Sequence, residues 1–434
     1  MNKKAFDTIS AAMLGIGTMV GIGIFIVIGL AGSIAGNLVW LSFIIGGIIA
    51  LLSGYSLAKL AIRFPSRGGI IEYLVQEYGE NYFSGALSVM FYFAQLITLA
   101  AVAKSFGEYG ARLFGYDSIF MINTFAIGII LFFTVINLLG ATFVAKSENI
   151  IVAIKLIGLS IFTLAALFNI HVDYLSPEKS PTLINAIFAV GLTFFAYQGY
   201  SVITNAIEDM ENPKKTVLKA MILAISVVTV LYVAVSIAVL GNLSLDEVIK
   251  TKDYALAEAA KPIFGEYGFK IMAVLALISA TSAINATLYA ATEISYTLAK
   301  KGDLPEIYEY NIFNSYEGLL ISAALIIPMI LFFNLSEITT VAALSVLIIQ
   351  ALVHYKHIKL THKTGANKIL IILAFMLMSL VVTASLYYNL KNQTATIYYL
   401  IGAFIIAFFI EFVLRKLFNR TVKKQTKEIY DGFF

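Results

Sequence analysis

Long uninterrupted apolar runs dominate this 434-residue chain and leave it few ways to fold. A helix needs about 20 apolar residues to cross a hydrocarbon core roughly 30 Å thick. Roughly twelve segments meet that length. They lie near 8–35, 38–62, 83–107, 119–140, 149–168, 182–207, 217–240, 268–299, 318–333, 338–355, 369–390 and 397–417. Strands of a membrane barrel would alternate over about 10 residues, and these runs do not. Backbone groups in lipid need partners within their own segment, so an all-α bundle is the remaining solution. Composition agrees: the chain is 60% hydrophobic and 13% charged, where a soluble domain is about 45–50% apolar and about 25% charged. A soluble enzyme, a nucleic-acid binder and a disordered chain are thereby excluded, and the net charge of +4 is too small to suggest nucleic acid. With no cysteine, disulfides, thiolate metal sites and a cysteine nucleophile are excluded, and four histidines make a zinc site an unattractive expectation. The first apolar run continues to Ala35, past the short core of a signal peptide, so it reads as the first span.

Lysine and arginine placement sets the orientation. With twelve spans and a cytoplasmic N-terminus, about two-thirds of the 30 basic residues fall on the inner side. Both termini are therefore expected in the cytoplasm, in a multi-pass protein of the cytoplasmic (inner) membrane. The basic tail at 418–434 reads as a solvated, topology-setting segment. No soluble domain is expected. The longest connection, 241–267, contains an amphipathic stretch from Leu245 to Phe264 that reads as an external surface helix.

Two spans share a peculiarity. The first carries Gly15, Gly17, Gly21 and Gly23 in the run GIGTMVGIGIF, and the sixth carries Gly191 and Gly199 in GLTFFAYQGY. Each glycine disfavours a helix interior by about 1 kcal/mol relative to alanine. A mid-membrane break frees N–H and C=O groups, which are tolerated only where they line a cavity. The freed N–H ends suit a carboxylate and the freed C=O ends an ammonium. Facing breaks therefore suit a zwitterion, and paired interrupted spans point to the binding site of a secondary transporter. The plainer alternative is close helix packing, since Gly17 and Gly21 form a GxxxG pair.

Taken together, GIGTMVGIGIF, FPSRGGIIEYL, FFAYQGY with EDMENPKK, and SYTLAKKGDLPE resemble the amino acid, polyamine and organocation transporter superfamily, in order and over nearly the whole chain. The resemblance implies the leucine-transporter-type fold, with twelve transmembrane helices. Two inverted five-helix repeats (1–168 and 182–355, the second holding the loop 241–267) have helices 1 and 6 broken, and two further spans occupy 369–417. It also implies alternating access without chemical conversion of the substrate. By position, the N–H groups of Gly21, Ile22 and Gly23 would bind the substrate carboxylate. The carbonyls near Met19 and Val20, with those of Phe194 and Phe195, would bind its ammonium; Ala196 completes the segment, and Phe195 matches an aromatic gate. Two departures stand out. Ile22 occupies a place where many relatives have a small or hydroxylated residue. Ser201 stands where many have an acid tied to proton coupling or a cationic substrate.

Lys155 lies in the middle of the fifth span. An uncompensated lysine there costs about 2.5–3.5 kcal/mol on the insertion scale. Desolvation favours the neutral amine, so such a group could exchange a proton near neutral pH. The resemblance extends to a proton-coupled archaeal and bacterial subset, in which a fifth-span lysine fills the place of a sodium ion. It implies contact with the Gly17 carbonyl and nearby hydroxyls of Ser279 and Ser282. The alternative is a permanently charged lysine that only pins spans together. Glu293, the other ionisable group inside a span, reads as paired or snorkelling. His354, His357 and His362 fall at or beyond the end of the tenth span and His171 in a loop, so the histidines add no site. The expected function is a proton-coupled symporter importing neutral amino acids, not an enzyme. No cofactor, metal, sodium, nucleic acid or obligate protein partner is expected; the partners are a small amino acid and the bilayer. The alternative is a sodium-independent exchanger or facilitator.

Overall fold

The computed structural model describes residues 7–66, 68–139, 143–176, 182–302, 304–313, 315–392 and 394–418, with backbone only at 143–149 and 301. The basic tail, from 419 onward, and the Lys146 side chain lie outside the described residues.

Among the described residues ten helical stretches are long and apolar enough to cross a membrane, and with the shorter apolar helices Thr8–Met19 and Glu317–Phe332 they group into twelve spans. Span 1 is formed by two helices, Thr8–Met19 and Gly23–Ala35. Span 2 is Val39–Arg63, span 3 Tyr82–Leu113, span 4 Ile119–Leu138 and span 5 Phe143–Leu167. Span 6 is Leu183–Tyr197 continued by tighter turns to Asn205, and span 7 is Pro213–Asn242. Span 8 is Lys261–Lys301, span 9 Glu317–Phe332, span 10 Leu335–Thr364, span 11 Lys368–Lys391 and span 12 Thr396–Leu417. Hydropathy alone places these spans because the bilayer demands it. Their ends are set by local chemistry. Asp7 caps span 1 by accepting from the Ser10 N–H (2.7 Å). Capping boxes open span 3 at Asn81 and span 10 at Asn334. Gly36, at φ 57°, turns the chain between spans 1 and 2, a conformation that disfavours any residue with a Cβ.

Spans 1, 2, 3 and 4 pack on spans 6, 7, 8 and 9 respectively. That pairing is the one a pseudo-two-fold relating spans 1–5 to spans 6–10 produces, and five spans per half place the halves in opposite orientation. Spans 11 and 12 lie outside this core, span 11 against spans 2, 6 and 10 and span 12 against span 3. Spans 3, 6 and 10 are mostly buried, whereas spans 4, 11 and 12 turn most of their apolar surface outward. In water that surface would be a liability; in lipid it is the solvent-facing side.

Two connections differ from expectation. The stretch from Leu245 to Phe264 is not one surface helix. It forms Leu245–Lys250 and Ala255–Glu258, and the helix of span 8 then begins at Lys261 and kinks at Gly265 (φ 64°). Val248, Ala255, Leu256 and Ala257 are fully buried, because this loop lies on the second helix of span 1, Gly23–Ala35. There Gly29 touches the Lys252 main chain so closely that a Cβ would lie 2.7 Å from its Cα. The second is a short helix, Ile70–Tyr78, between spans 2 and 3, whose Ile70–Val75 face is buried against spans 3 and 10.

Candidate functional site

The two broken spans meet at their breaks. The first helix of span 1 ends with the Val20 N–H donating to the Ile16 carbonyl (2.7 Å). The second helix begins with the Ile26 N–H donating to the Ile22 carbonyl (3.0 Å). Between them, the N–H groups of Gly21, Ile22, Gly23, Ile24 and Phe25 have no backbone acceptor among the described residues. All five residues are buried. An unsatisfied buried N–H costs about 1–3 kcal/mol, so a row of them calls for an acceptor. Their place at the positive N-terminal end of the helix Gly23–Ala35 makes that acceptor an anion by preference.

Span 6 breaks later than its glycines suggest. The helix runs unbroken through Gly191 to Tyr197, then tightens over Gln198–Ser201. Gly191 is a packing glycine, fitted against Ser385 of span 11. Gly199 marks the break: a Cβ there would sit 2.6 Å from the Thr18 carbonyl carbon and 2.7 Å from the Met19 nitrogen. Likewise a Cβ on Gly23 would sit 2.9 Å from the Ala196 Cα. The two breaks are thus in backbone contact at two points. Thr18 Oγ1 ties them, donating to the Gly199 carbonyl (3.0 Å) as well as to its own helix.

Two of the carbonyls assigned to an ammonium are already engaged. The Tyr232 hydroxyl of span 7 donates to the Met19 carbonyl (2.5 Å) and lies 3.2 Å from that of Ala196. The Phe195 carbonyl accepts from the Gln198 N–H. The Val20 carbonyl makes no backbone hydrogen bond among the described residues. Phe194, Phe195 and Ala196 are buried beside the break, Phe194 edge-on to Tyr200 at 6.3 Å. Ile22 is buried at the mouth of the outer helix. The Ser201 hydroxyl donates to the Gln198 carbonyl (3.1 Å), inside the turn.

Lys155 is 1% exposed, and its Nζ donates to the Gly17 carbonyl (3.3 Å). Gly17 permits this approach: a Cβ there would meet Val152 Cγ2 at 2.6 Å. Span 8 packs on span 5 and carries Ser279 and Ser282, both buried. The Ser279 hydroxyl has no hydrogen-bond partner among the described residues. One turn on, the Ala283 Cβ would lie 3.5 Å from a Cβ on Gly21, so span 8 runs alongside both the lysine and the break. Glu293 is half-buried further along span 8.

Sequence reading missed Tyr232, because a tyrosine in an apolar span has no signature until span 7 is seen against both breaks. It also missed His354 and His357. Span 10 runs to Thr364, so both histidines lie inside it, fully buried.

The comparisons with known proteins agree with this architecture. A family described as "Amino acid permease" matches residues 6–410. An uncharacterized protein of Methanocaldococcus jannaschii is 37% identical over 428 residues, covering 97% of this chain and 98% of the relative. The inner membrane transport protein YbaT of Escherichia coli is 31% identical over 412 residues, 94% of this chain and 95% of its own. The serine/threonine exchanger SteT of Bacillus subtilis is 28% identical over 309 residues, 70% of each chain. With its twelve spans, its two broken helices and a match along almost its entire length, the chain belongs to the amino acid permease family of membrane transporters.

Proposed function

We propose that the protein is a proton-coupled symporter that imports neutral amino acids across the cytoplasmic membrane by alternating access, with both termini inside. The observation that carries this reading is the row of buried N–H groups from Gly21 to Phe25, without a backbone acceptor among the described residues, beside the end of the span 6 helix. A carboxylate fits those donors. The Val20 carbonyl, at the open end of the inner helix, makes no backbone hydrogen bond among the described residues and is an acceptor for an ammonium. No charged side chain occupies the segments 19–25 and 194–201, so a neutral side chain is the complement. Phe195 closes over the substrate.

Lys155 is the proton site. Protonated, its ammonium holds the Gly17 carbonyl and fixes the inner half of span 1 against span 5. Loss of the proton weakens that hold and opens the inner path. Uptake into proteoliposomes, driven by an inward proton gradient, is expected to collapse in Lys155→Ala. Retention of full proton dependence by that variant would remove the lysine from coupling. A second reading, sodium-independent exchange with Lys155 a fixed charge, draws on the likeness to a serine/threonine exchanger. Counterflow indifferent to a proton gradient would favour it.

A further inference from the structure

Beneath the span 6 break, a continuous row of hydrogen-bonded side chains runs through otherwise apolar packing. The Tyr200 hydroxyl lies 2.6 Å from Ser53 Oγ of span 2 and 2.6 Å from Gln350 Oε1 of span 10. Ser53 Oγ is 2.8 Å from His354 Nε2, and His354 Nδ1 is 2.8 Å from Ser56 Oγ. Ser56 Oγ is also 2.8 Å from His357 Nδ1, and His357 Nε2 is 2.9 Å from Thr364 Oγ1. Every member is buried, and Thr364 precedes the exposed Gly365 at the cytoplasmic end of span 10. At the other end, Tyr200 follows Gly199, whose backbone lies on Thr18.

A row that only glued spans 2, 6 and 10 together would need no particular order. This one alternates hydroxyl and imidazole so that two complete orientations exist. In the first, Tyr200 donates to Ser53, Ser53 to His354 Nε2, His354 Nδ1–H to Ser56, Ser56 to His357 Nδ1, and His357 Nε2–H to Thr364. In the second, every bond from Thr364 to Ser53 is reversed, and Ser53 and Tyr200 both donate to Gln350 Oε1, which accepts twice. Each imidazole carries one ring proton in both, with its tautomer exchanged.

We propose that Tyr200, Ser53, His354, Ser56, His357 and Thr364 form a proton path from the break in span 6 to the cytoplasm. The path rests on the proton-coupled reading above. One proton arriving at the Tyr200 oxygen shifts each hydrogen bond by one partner, and the Thr364 hydroxyl proton leaves to water. One proton enters and one leaves; the row stands in its second orientation once Tyr200 and Ser53 turn their protons to Gln350 Oε1, which lies 3.3 Å from Ser53 Oγ, and rotation of the hydroxyls with exchange of the tautomers resets it. The elements packed on span 10 carry Lys59 and Arg63 of span 2, Lys104, Glu108 and Arg112 of span 3, Glu72 and Glu77 of the short helix, Lys368 and Lys391 of span 11, and Glu411, Arg415 and Lys416 of span 12.

The test uses the full chain in proteoliposomes carrying His354→Gln, with Ser56→Ala as a second variant. Glutamine keeps a donor and an acceptor but cannot pass a proton between two ring nitrogens. Proton-driven uptake is expected to fall by at least about tenfold in both variants. Substrate counterflow, which moves no net proton, is expected to stay within about twofold of the wild type. Equal loss of uptake and counterflow would show a structural pin and overturn the path. So would wild-type uptake in both variants alongside a collapse in Lys155→Ala, an outcome that leaves the coupled reading standing. Wild-type uptake indifferent to the proton gradient would end both.

Discussion

Gly199 and Tyr232 carry the geometry of the site. Gly199 lets the backbones of spans 1 and 6 touch, and its missing side chain is a requirement of close approach. Gly199→Ala is expected to push the breaks apart and abolish substrate binding, measured as loss of the thermal shift on adding a transported amino acid. Tyr232 meets the C-terminal ends of the first helix of span 1 and the first helix of span 6 with one hydroxyl. Tyr232→Phe removes one proton donor and leaves two buried carbonyls, a loss of about 1–3 kcal/mol. Weaker binding with a lowered thermal midpoint is the expected result; unchanged affinity would place the hydroxyl outside the site. Neither role was legible in the sequence. Gly199 looked no different from Gly191, yet one faces a main chain and the other a serine side chain. Lys155 was legible, because a cation inside an apolar span is expensive wherever the neighbours lie.

The connection between spans 7 and 8 is the element whose behaviour was hardest to foresee. Its amphipathic pattern is real, but the apolar side meets span 1 rather than the membrane surface, and only the partner decides that. Gly29→Ala is expected to lift the loop off span 1, because the added methyl would overlap the Lys252 main chain. Faster proteolytic cutting within 244–260 would be the sign, and an unchanged cutting rate would refute the contact. Asp253 sits half-buried in the same loop. Burial pushes its carboxyl above the usual range, while Lys252, Arg112 and Lys104 pull it down. An acid whose folded value is raised makes the fold lose stability as pH rises from the unfolded value through the folded one. Asp253→Asn is therefore expected to raise the thermal midpoint at about pH 7 and to leave it unchanged at about pH 3. The reverse dependence would mean that the basic neighbours win. The break in span 1, by contrast, was readable, since four glycines within GIGTMVGIG weaken a helix without help from any neighbour.

For the molecule as a whole, the bilayer made the sequence informative. It demands long apolar helices, so hydropathy alone located the twelve spans to within a few residues at most ends. It says nothing of which spans touch. The pairing of spans 1 to 4 with spans 6 to 9 joins residues far apart in the chain, as do the bonds from Ser53 to His354 and from Lys155 to Gly17. Those contacts bring the five bare N–H groups, the buried amine and the tyrosine together. Hydrogen–deuterium exchange of the intact chain in lipid nanodiscs, with and without a saturating transported amino acid, reads those N–H groups themselves. Slower exchange is expected at residues 21–25, where a bound carboxylate would occupy the donors. Unchanged exchange there under saturating ligand would show that the substrate sits elsewhere.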